Sequence, residues 1–143
     1  MIVDGILART DRLQGLLPAV RDKAMALLET ALDEHIILRV TQGLRTYAEQ
    51  NALYAQGRTL PGPRVTNAPG GYSWHNFGRA FDVCIVSYIG DTTPRDVYDG
   101  PWQHIAELGE KAGLEWGGRF PSPDSPHFED RGGLTLAQAR AAA

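Results

Sequence analysis

Two short segments of the chain carry the side chains that are best suited to chemistry. The first places His75 seven positions before Asp82, and the second places Asp124 three positions before His127. Two histidines and one carboxylate make a three-ligand set for catalytic zinc, with the fourth position left open for water. Asp124 is a further carboxylate that can accept a proton from that water. Together the two segments predict a metal-dependent hydrolase.

The apolar run around Asp82 strengthens this interpretation. Phe81 and Val83 point to one face of the predicted strand and Asp82 points to the other. A carboxylate in an apolar strand is costly unless it is paired or bound to a metal. Any one of these candidate ligands alone would more often be a surface or structural residue, and it is their joint occurrence that favours a metal site. The other two histidines, His35 and His104, are interpreted as structural, without carboxylate partners.

Sequence patterns also predict the elements that must position these residues. Apolar residues at three- and four-residue intervals predict a helix over 18–34, and β-branched residues predict a strand over 36–41. Thr46 and Glu49 form a capping box that starts a second helix, which Gly57 ends.

The second half of the chain is also predicted to contain both strands and helices. Three prolines and three glycines predict an irregular loop over 59–71. Strands are predicted over 80–86 and 127–129, and a helix that opens at Asp99 and stops at Gly113 lies between them. Another capping box, Thr135 with Gln138, starts a short last helix. Helices flanking a few strands predict an α+β fold with a small antiparallel sheet.

Composition narrows the class of protein further. A length of 143 residues fits one domain over 1–143 and leaves no room for a second. The net charge of −3 gives no electrostatic case for binding nucleic acid or an anionic membrane. No apolar run approaches the roughly 20 residues that span a bilayer, and the first residues lack the pattern of a secretory signal. The single cysteine, Cys84, is expected to be a core thiol.

The motifs resemble those of the M15 zinc peptidases of peptidoglycan, the VanY-like group. The pattern Ser-x-His-x-x-Gly-x-Ala-x-Asp is met over 73–82, and the later Asp-x-x-His-Phe-Glu over 124–129. The upstream Gln-Gly-x-Arg-Thr is met over 42–46, and the run over 49–59 is similar as well. The likeness covers about residues 17–128, and it is greatest to the L-alanyl-D-glutamate endopeptidases of phage endolysins.

This resemblance implies a hedgehog/DD-peptidase-like fold and a zinc cofactor. It implies that His75, Asp82 and His127 hold the ion and that Asp124 is the general base. It also implies that Arg45 stabilises the oxyanion or clamps a substrate carboxylate.

Weaker expectations concern the walls of the cleft. By resemblance Gln50 contacts substrate, and Ser73 hydrogen-bonds it unless it only caps the loop. Thr66 and Trp116 are further candidates, although a tryptophan by default packs in a core. Glu129 is expected to orient a ligand histidine, with an edge-strand charge as its alternative.

One departure from the family pattern concerns the segment after Trp116. Relatives often carry an acidic residue and a second tryptophan after Trp-Gly-Gly, whereas this chain has Arg119 and Phe120. The change bears on the outer wall of the cleft and on side-chain preference, and it leaves the metal ligands untouched.

Two alternatives to the endopeptidase stay open. One is a D-Ala-D-Ala carboxypeptidase or dipeptidase of the same family, and the other is a non-catalytic, zinc-stabilised binding module. The expected partner is the peptidoglycan stem peptide, with no nucleic acid and no membrane insertion, and the expected state is a monomer. A phage or prophage enzyme without a wall-binding domain, held in the host cytoplasm until release to the periplasm or cell wall, fits these features.

Overall fold

A computed structural model describes residues 11–89 and 93–143. Within these ranges helices and strands alternate along the chain. The helices are α1 (Pro18–Asp33), α2 (Tyr47–Ala55), α3 (Trp102–Lys111) and α4 (Leu136–Ala142), and the strands are β1 (Leu38–Gln42), β2 (Ala80–Ile89), β3 (Thr93–Val97), β4 (Glu115–Trp116) and β5 (His127–Glu129). Short 3-10 helices cover Asp11–Leu13, Trp74–Phe77 and Gly117–Arg119.

The strands form one antiparallel sheet in the order β1-β2-β5-β4, with β3 paired to β2. Ile85 pairs with Leu38 of β1 on one side and with Val97 of β3 on the other, so β3 continues the edge where β5 ends. The predicted α+β fold with a small antiparallel sheet is therefore confirmed. Central strand β2 carries Asp82, and its neighbour β5 carries His127.

The core lies on one face of this sheet, under α1 and α3. Phe81 of β2 stacks on Phe128 of β5 with ring centroids 5.9 Å apart, and Val83 and Leu27 are fully buried beside them. Asp82 points away from this core, as the period of two along a strand requires. The apolar face therefore fixes which residues face the cleft.

Three capping boxes set the starts of short helices. Thr46 Oγ1 accepts from the Glu49 amide at 3.1 Å, and the Glu49 carboxylate accepts from the Thr46 amide at 2.9 Å. Thr135 and Gln138 make the same pair of bonds at the start of α4. Both boxes confirm the sequence-based prediction, and a third box, formed by Ser73 and Asn76, is described with the site below.

Several boundaries differ from the sequence-based prediction for local reasons. The first strand begins at Leu38 and not at residue 36, because His35 has a positive φ of 63° and the Ile36 amide still bonds to Ala31 at the end of α1. Helix α3 begins at Trp102, so Pro101 lies before the helix and not in its first turn. Strands β3 and β4 were not predicted: β3 is mostly exposed and β4 is two residues long.

Two further expectations concern side chains of the framework. His104 lies 2.9 Å from Glu34 Oε2 across α3 and the end of α1, so the expectation that it has no carboxylate partner is wrong. Cys84 is buried, and this burial, followed by the effect of Asp96, raises the pKa of its thiol to about 11. The residue therefore stays a thiol at neutral pH, as expected for a core cysteine.

No helix within the described ranges is both long and apolar enough to cross a bilayer. The expectation that the chain opens without a leader concerns residues 1–10, which lie outside those ranges.

Asp130, the residue after β5, ties the sheet to α1. Its Oδ2 accepts from Lys23 Nζ at 2.5 Å and its Oδ1 from the Gly132 amide at 3.0 Å. Burial opposes ionisation of this carboxyl, but Lys23 and the amide outweigh it and hold the pKa of Asp130 below its ordinary value. The resulting stabilisation is present above the unfolded-state pKa of about 3.9 and is lost as the pH falls through the folded-state value.

Asp130→Asn is therefore expected to lower the free energy of unfolding by about 1 kcal/mol at pH 7, since one charged partner is removed from a partly exposed pair. The difference from the parent chain should shrink progressively below about pH 4. Urea unfolding of both proteins across this range measures it, with Asp22→Asn, an exposed position of α1, as control. An equal loss of stability at every pH would show that the charge is not responsible.

Candidate active site

Three of the predicted site residues converge where β2 meets β5. Asp82 and His127 are direct register partners on the two strands, and His127 Nδ1 lies 3.0 Å from Asp82 Oδ1. His75 comes from the 3-10 helix before β2, and its Nε2 lies 3.3 Å from the same oxygen. One ligand atom from each residue lies within 4.8 Å of the others. The structure therefore brings the whole predicted ligand set together.

Each histidine is oriented by a bond on the ring nitrogen that faces away from Asp82. His75 Nδ1 lies 2.9 Å from the carbonyl oxygen of Gly43, to which it donates. His127 Nε2 lies 2.7 Å from Glu129 Oε1. Metal-binding histidines commonly donate their second ring N–H to such an acceptor, which fixes the tautomer and the ring direction. Two imidazole nitrogens and one carboxylate oxygen remain, and this donor set fits zinc.

Asp82 and His127 shift each other's pKa values strongly. Burial would raise the pKa of Asp82, but hydrogen bonds from His127 and His75 hold it well below its usual range. Burial would lower the pKa of His127, but Asp82 and Glu129 together raise it to about 9. The protein groups alone thus place a positive charge between ionised carboxylates. A divalent cation suits the same position, and its binding would displace the imidazole proton.

Asp124 sits in a turn whose backbone is fixed on both sides. Its amide donates to the Gly117 carbonyl at 2.9 Å, and its own carbonyl accepts from the His127 amide at 3.2 Å. Trp116 Nε1 donates to the Ser125 carbonyl at 2.7 Å. A Cβ on Gly117 would lie 2.5 Å from the Asp124 carbonyl oxygen and 2.9 Å from His127 Cβ. Only a glycine at 117 lets this turn approach so closely.

The carboxylate of Asp124 is exposed on the wall of the cleft that contains the three ligands. Partial desolvation raises its pKa above the ordinary aspartate value, and repulsion from Asp82 adds to the increase, while His127 and His75 act in the opposite direction. A basic oxygen beside the ligand set and open to solvent is the arrangement that a general base requires.

The cleft itself has a volume of about 680 Å³. Its walls come from the loop over 65–68, from residues 72–75, from residues 120–124 and from the end of β5 with Arg131. The long irregular loop predicted over 59–71 thus supplies one wall.

Arg45 lines the cleft beside Asp82, with three of its nitrogen atoms engaged. Nε donates to Gln42 at 3.1 Å, Nη1 donates to Gln50 at 3.2 Å, and Nη2 lies 3.5 Å from Asp82 Oδ2. Its charge is therefore held in a fixed place close to the ligand set.

Gln50 has a different place from the one expected. Its side chain is fully buried, its Oε1 accepts from Arg45, and its Nε2 donates to the Ala68 carbonyl at 2.8 Å and to Thr66 Oγ1 at 3.4 Å. No amide surface is left for a substrate in this conformation, so the expected direct contact stays a prediction that these contacts do not support. Gln50 instead joins Arg45 to the loop wall. Thr66 does line the cleft, but its hydroxyl also accepts from the Ala68 amide at 3.1 Å.

The remaining predicted contacts divide between cleft and core. Ser73 lines the cleft, and its Oγ accepts from the His75 amide at 3.2 Å, which is the capping role named as its alternative. Trp116 packs in the core, the default role named for a tryptophan, and is not among the residues that line the cleft, so its substrate contact stays a prediction. Glu129 is buried between His127 and Arg131, where it can orient the imidazole.

Sequence reasoning missed two residues of the site. Asn76 is buried and donates from Nδ2 to the Arg45 carbonyl at 3.1 Å, while its Oδ1 accepts from the Gly71 amide at 3.0 Å. The Ser73-x-x-Asn76 spacing, which forms the third capping box, was an available signal. Arg131 also lines the cleft, and no local pattern marked it.

The antiparallel sheet and the His-Asp-His donor set beside a free carboxylate define a site of the metallopeptidase class. A family model described as D-alanyl-D-alanine carboxypeptidase, of the peptidase M15 group, matches residues 66–130. The peptidoglycan L-alanyl-D-glutamate endopeptidase CwlK of Bacillus subtilis (strain 168) is 38% identical over 119 residues, which cover 78% of this chain and 71% of that protein. The chain belongs to the M15 peptidase family.

Solved structures agree with this fold. The L-Ala D-Glu endopeptidase ChiX of Serratia marcescens superimposes with a TM-score of 0.61 at 22% identity, over 94% of this chain and 92% of that one. The D,D-pentapeptidase VanY, solved in complex with Zn(II), gives a TM-score of 0.58 at 15% identity, over 88% of this chain and 78% of that one. The expected peptidase fold is thereby confirmed.

Proposed function

We propose that this protein is a zinc-dependent peptidoglycan endopeptidase that hydrolyses the L-alanyl-D-glutamate bond of the stem peptide. The observation that carries the proposal is the convergence of His75, Asp82 and His127 in one cleft with Asp124 on its wall. The identity with CwlK, which has this activity, supports the choice of bond.

The three ligands would hold zinc through His75 Nε2, His127 Nδ1 and an oxygen of Asp82. When bound, zinc supplies a Lewis acid that polarises a carbonyl and lowers the pKa of water to about 7. Gly43 and Glu129 keep the two imidazoles in the tautomers that this binding needs.

Asp124 moves the proton that the reaction requires. Its carboxylate takes a proton from the attacking water as the new carbon–oxygen bond forms, and passes it to the amine nitrogen as the carbon–nitrogen bond breaks. Arg45, fixed by Gln42 and Gln50, places a permanent positive charge near the developing oxyanion. Because these bonds exist before substrate binds, the positive charge needs no rearrangement during the reaction.

A second candidate is the D-Ala-D-Ala carboxypeptidase activity, favoured by the description of the family model over residues 66–130. Mass spectrometry of purified peptidoglycan digested by the zinc-loaded protein separates the two. We expect new amino-terminal D-glutamate, which a chelator abolishes and added zinc restores. Released free D-alanine without new D-glutamate termini would instead assign the carboxypeptidase.

A non-catalytic binding module is the third possibility. A binding module does not need a general base beside the metal ligands, so the presence of the Asp124 carboxylate supports an enzyme. Wall binding without any cleavage product would favour the module. The monomeric state and the release of a lytic enzyme from a host cytoplasm stay predictions.

A further inference from the structure

Arg131 lines the cleft, where aromatic and acidic side chains surround it. Its guanidinium carbon lies 5.6 Å from the ring centroids of both Trp74 and Phe120. Its Nε bonds to Glu129 Oε2 and lies 3.3 Å from Glu115 Oε2. The two rings and the acids on the Nε side hold the group in one orientation, although the side chain is 42% exposed.

The rest of this guanidinium is available to a ligand. Within residues 11–89 and 93–143, Nη1 and Nη2 of Arg131 donate no hydrogen bond, and the contacts above use Nε alone. Arg45, the other arginine that lines the cleft, has Nε, Nη1 and Nη2 all engaged by its neighbours. Arg131 is therefore the better placed of the two to bind a carboxylate through paired N–H groups.

Arg131 is also close to the reacting centre. Glu129 links it to the ligand set, because Oε1 of this buried carboxylate lies 2.7 Å from His127 Nε2 while Oε2 bonds to Arg131. Glu129 thus bonds to His127 as well as to Arg131. Arg131 and the three ligands line the same cleft, so a group bound at Arg131 would share that cleft with a peptide bond held at the ligands.

The substrate of the proposed function carries a group of this kind. Glutamate has two carboxyl groups, and a D-glutamate that follows L-alanine can use only one of them to continue the peptide. We propose that Arg131 binds the other carboxylate of this D-glutamate, on the leaving-amine side of the scissile bond, and so selects substrates in which that group is ionised. This inference rests on the proposed function.

Two matched stem peptides test it, one with the free D-glutamate carboxylate and one with that carboxyl amidated. We expect the zinc-loaded parent protein to cleave the carboxylate peptide with a kcat/KM about 10- to 100-fold higher, as for one charge-assisted pair of hydrogen bonds. Arg131→Gln should bring the ratio of kcat/KM for the carboxylate peptide to kcat/KM for the amide peptide close to one. Arg131→Lys should keep part of the preference for the carboxylate peptide, because lysine retains the positive charge but lacks the paired N–H donors of a guanidinium.

The ratio of the two rates is independent of how much variant is folded or loaded with zinc. Arg119→Gln is the matched control, because Arg119 pairs with Glu110 and is not among the residues that line the cleft; the ratio should stay at the parent value. A second readout is the affinity for the D-glutamate-terminated product by calorimetry, which Arg131→Gln should weaken by a similar factor.

Three outcomes separate this inference from the proposed function. A preference that disappears in Arg131→Gln supports the inference. A parent protein that cleaves both peptides equally, or an Arg131→Gln variant that slows both by one factor, overturns it while the proposed function stands. Absence of cleavage between L-alanine and D-glutamate in both peptides overturns the proposed function itself.

Discussion

Asp124→Asn is expected to lower kcat about 10²- to 10⁴-fold, the range for loss of a general acid–base group. The amide has nearly the shape of the carboxylate but no oxygen basic enough to take the proton from water. The turn around this residue is held through backbone bonds to Gly117 and His127, which the substitution leaves in place. The variant should therefore keep its fold and its zinc.

Zinc content measured beside peptide hydrolysis checks this expectation. Asp22→Asn, at an exposed position of α1, is the control and should behave as the parent. Full activity in Asp124→Asn would remove the general-base assignment. Loss of zinc from the variant would mean that Asp124 is a ligand, which contradicts the set His75, Asp82 and His127.

His75→Ala should lose both metal and activity. The imidazole is buried, supplies one of three ligand atoms and is oriented by the Gly43 carbonyl. Changes in residues that only orient a ligand already cost about 10- to 100-fold in metal affinity, so removal of the ligand itself should weaken zinc binding by more than about 100-fold. Zinc titration with a competing chelator measures the affinity.

His104→Ala is the matched control. His104 is an exposed histidine of α3 that contacts Glu34 and is not one of the three ligands. It should bind zinc with the affinity of the parent. If His75→Ala still binds one equivalent of zinc in the presence of the competing chelator, the proposed ligand set is wrong. Circular dichroism separates loss of a ligand from loss of the fold.

The ligand set could be predicted from sequence because its signals are local. Asp82 stands out as a charge in an apolar strand, and the alternation of Phe81, Asp82 and Val83 fixes the face on which it lies. Capping boxes are equally local, and those at Thr46 and Thr135 were predicted at the observed residues. The family resemblance added roles for Arg45, Gln50 and Ser73, which no local sequence pattern identifies as functional.

Contacts between distant segments could not be predicted in this way. Gln50 is buried because the loop carrying Ala68, 18 residues later, closes over it. Arg131 meets Trp74 only after β5 has paired with β2. Strand β3 contains a proline and charged residues, and it has no apolar alternation to mark it. Its extended form comes from pairing with β2 and not from its own propensity.

The pairing of Asp82 with His127 has a consequence for synthesis of the protein. The two residues face each other in the sheet although 45 positions separate them. While the ribosome is still translating, His75 and Asp82 emerge well before His127 and Asp124. A growing chain thus holds an incomplete ligand set and no proton acceptor until residues 124–127 have been made, so hydrolytic capacity is acquired only after the second segment can pair with the first.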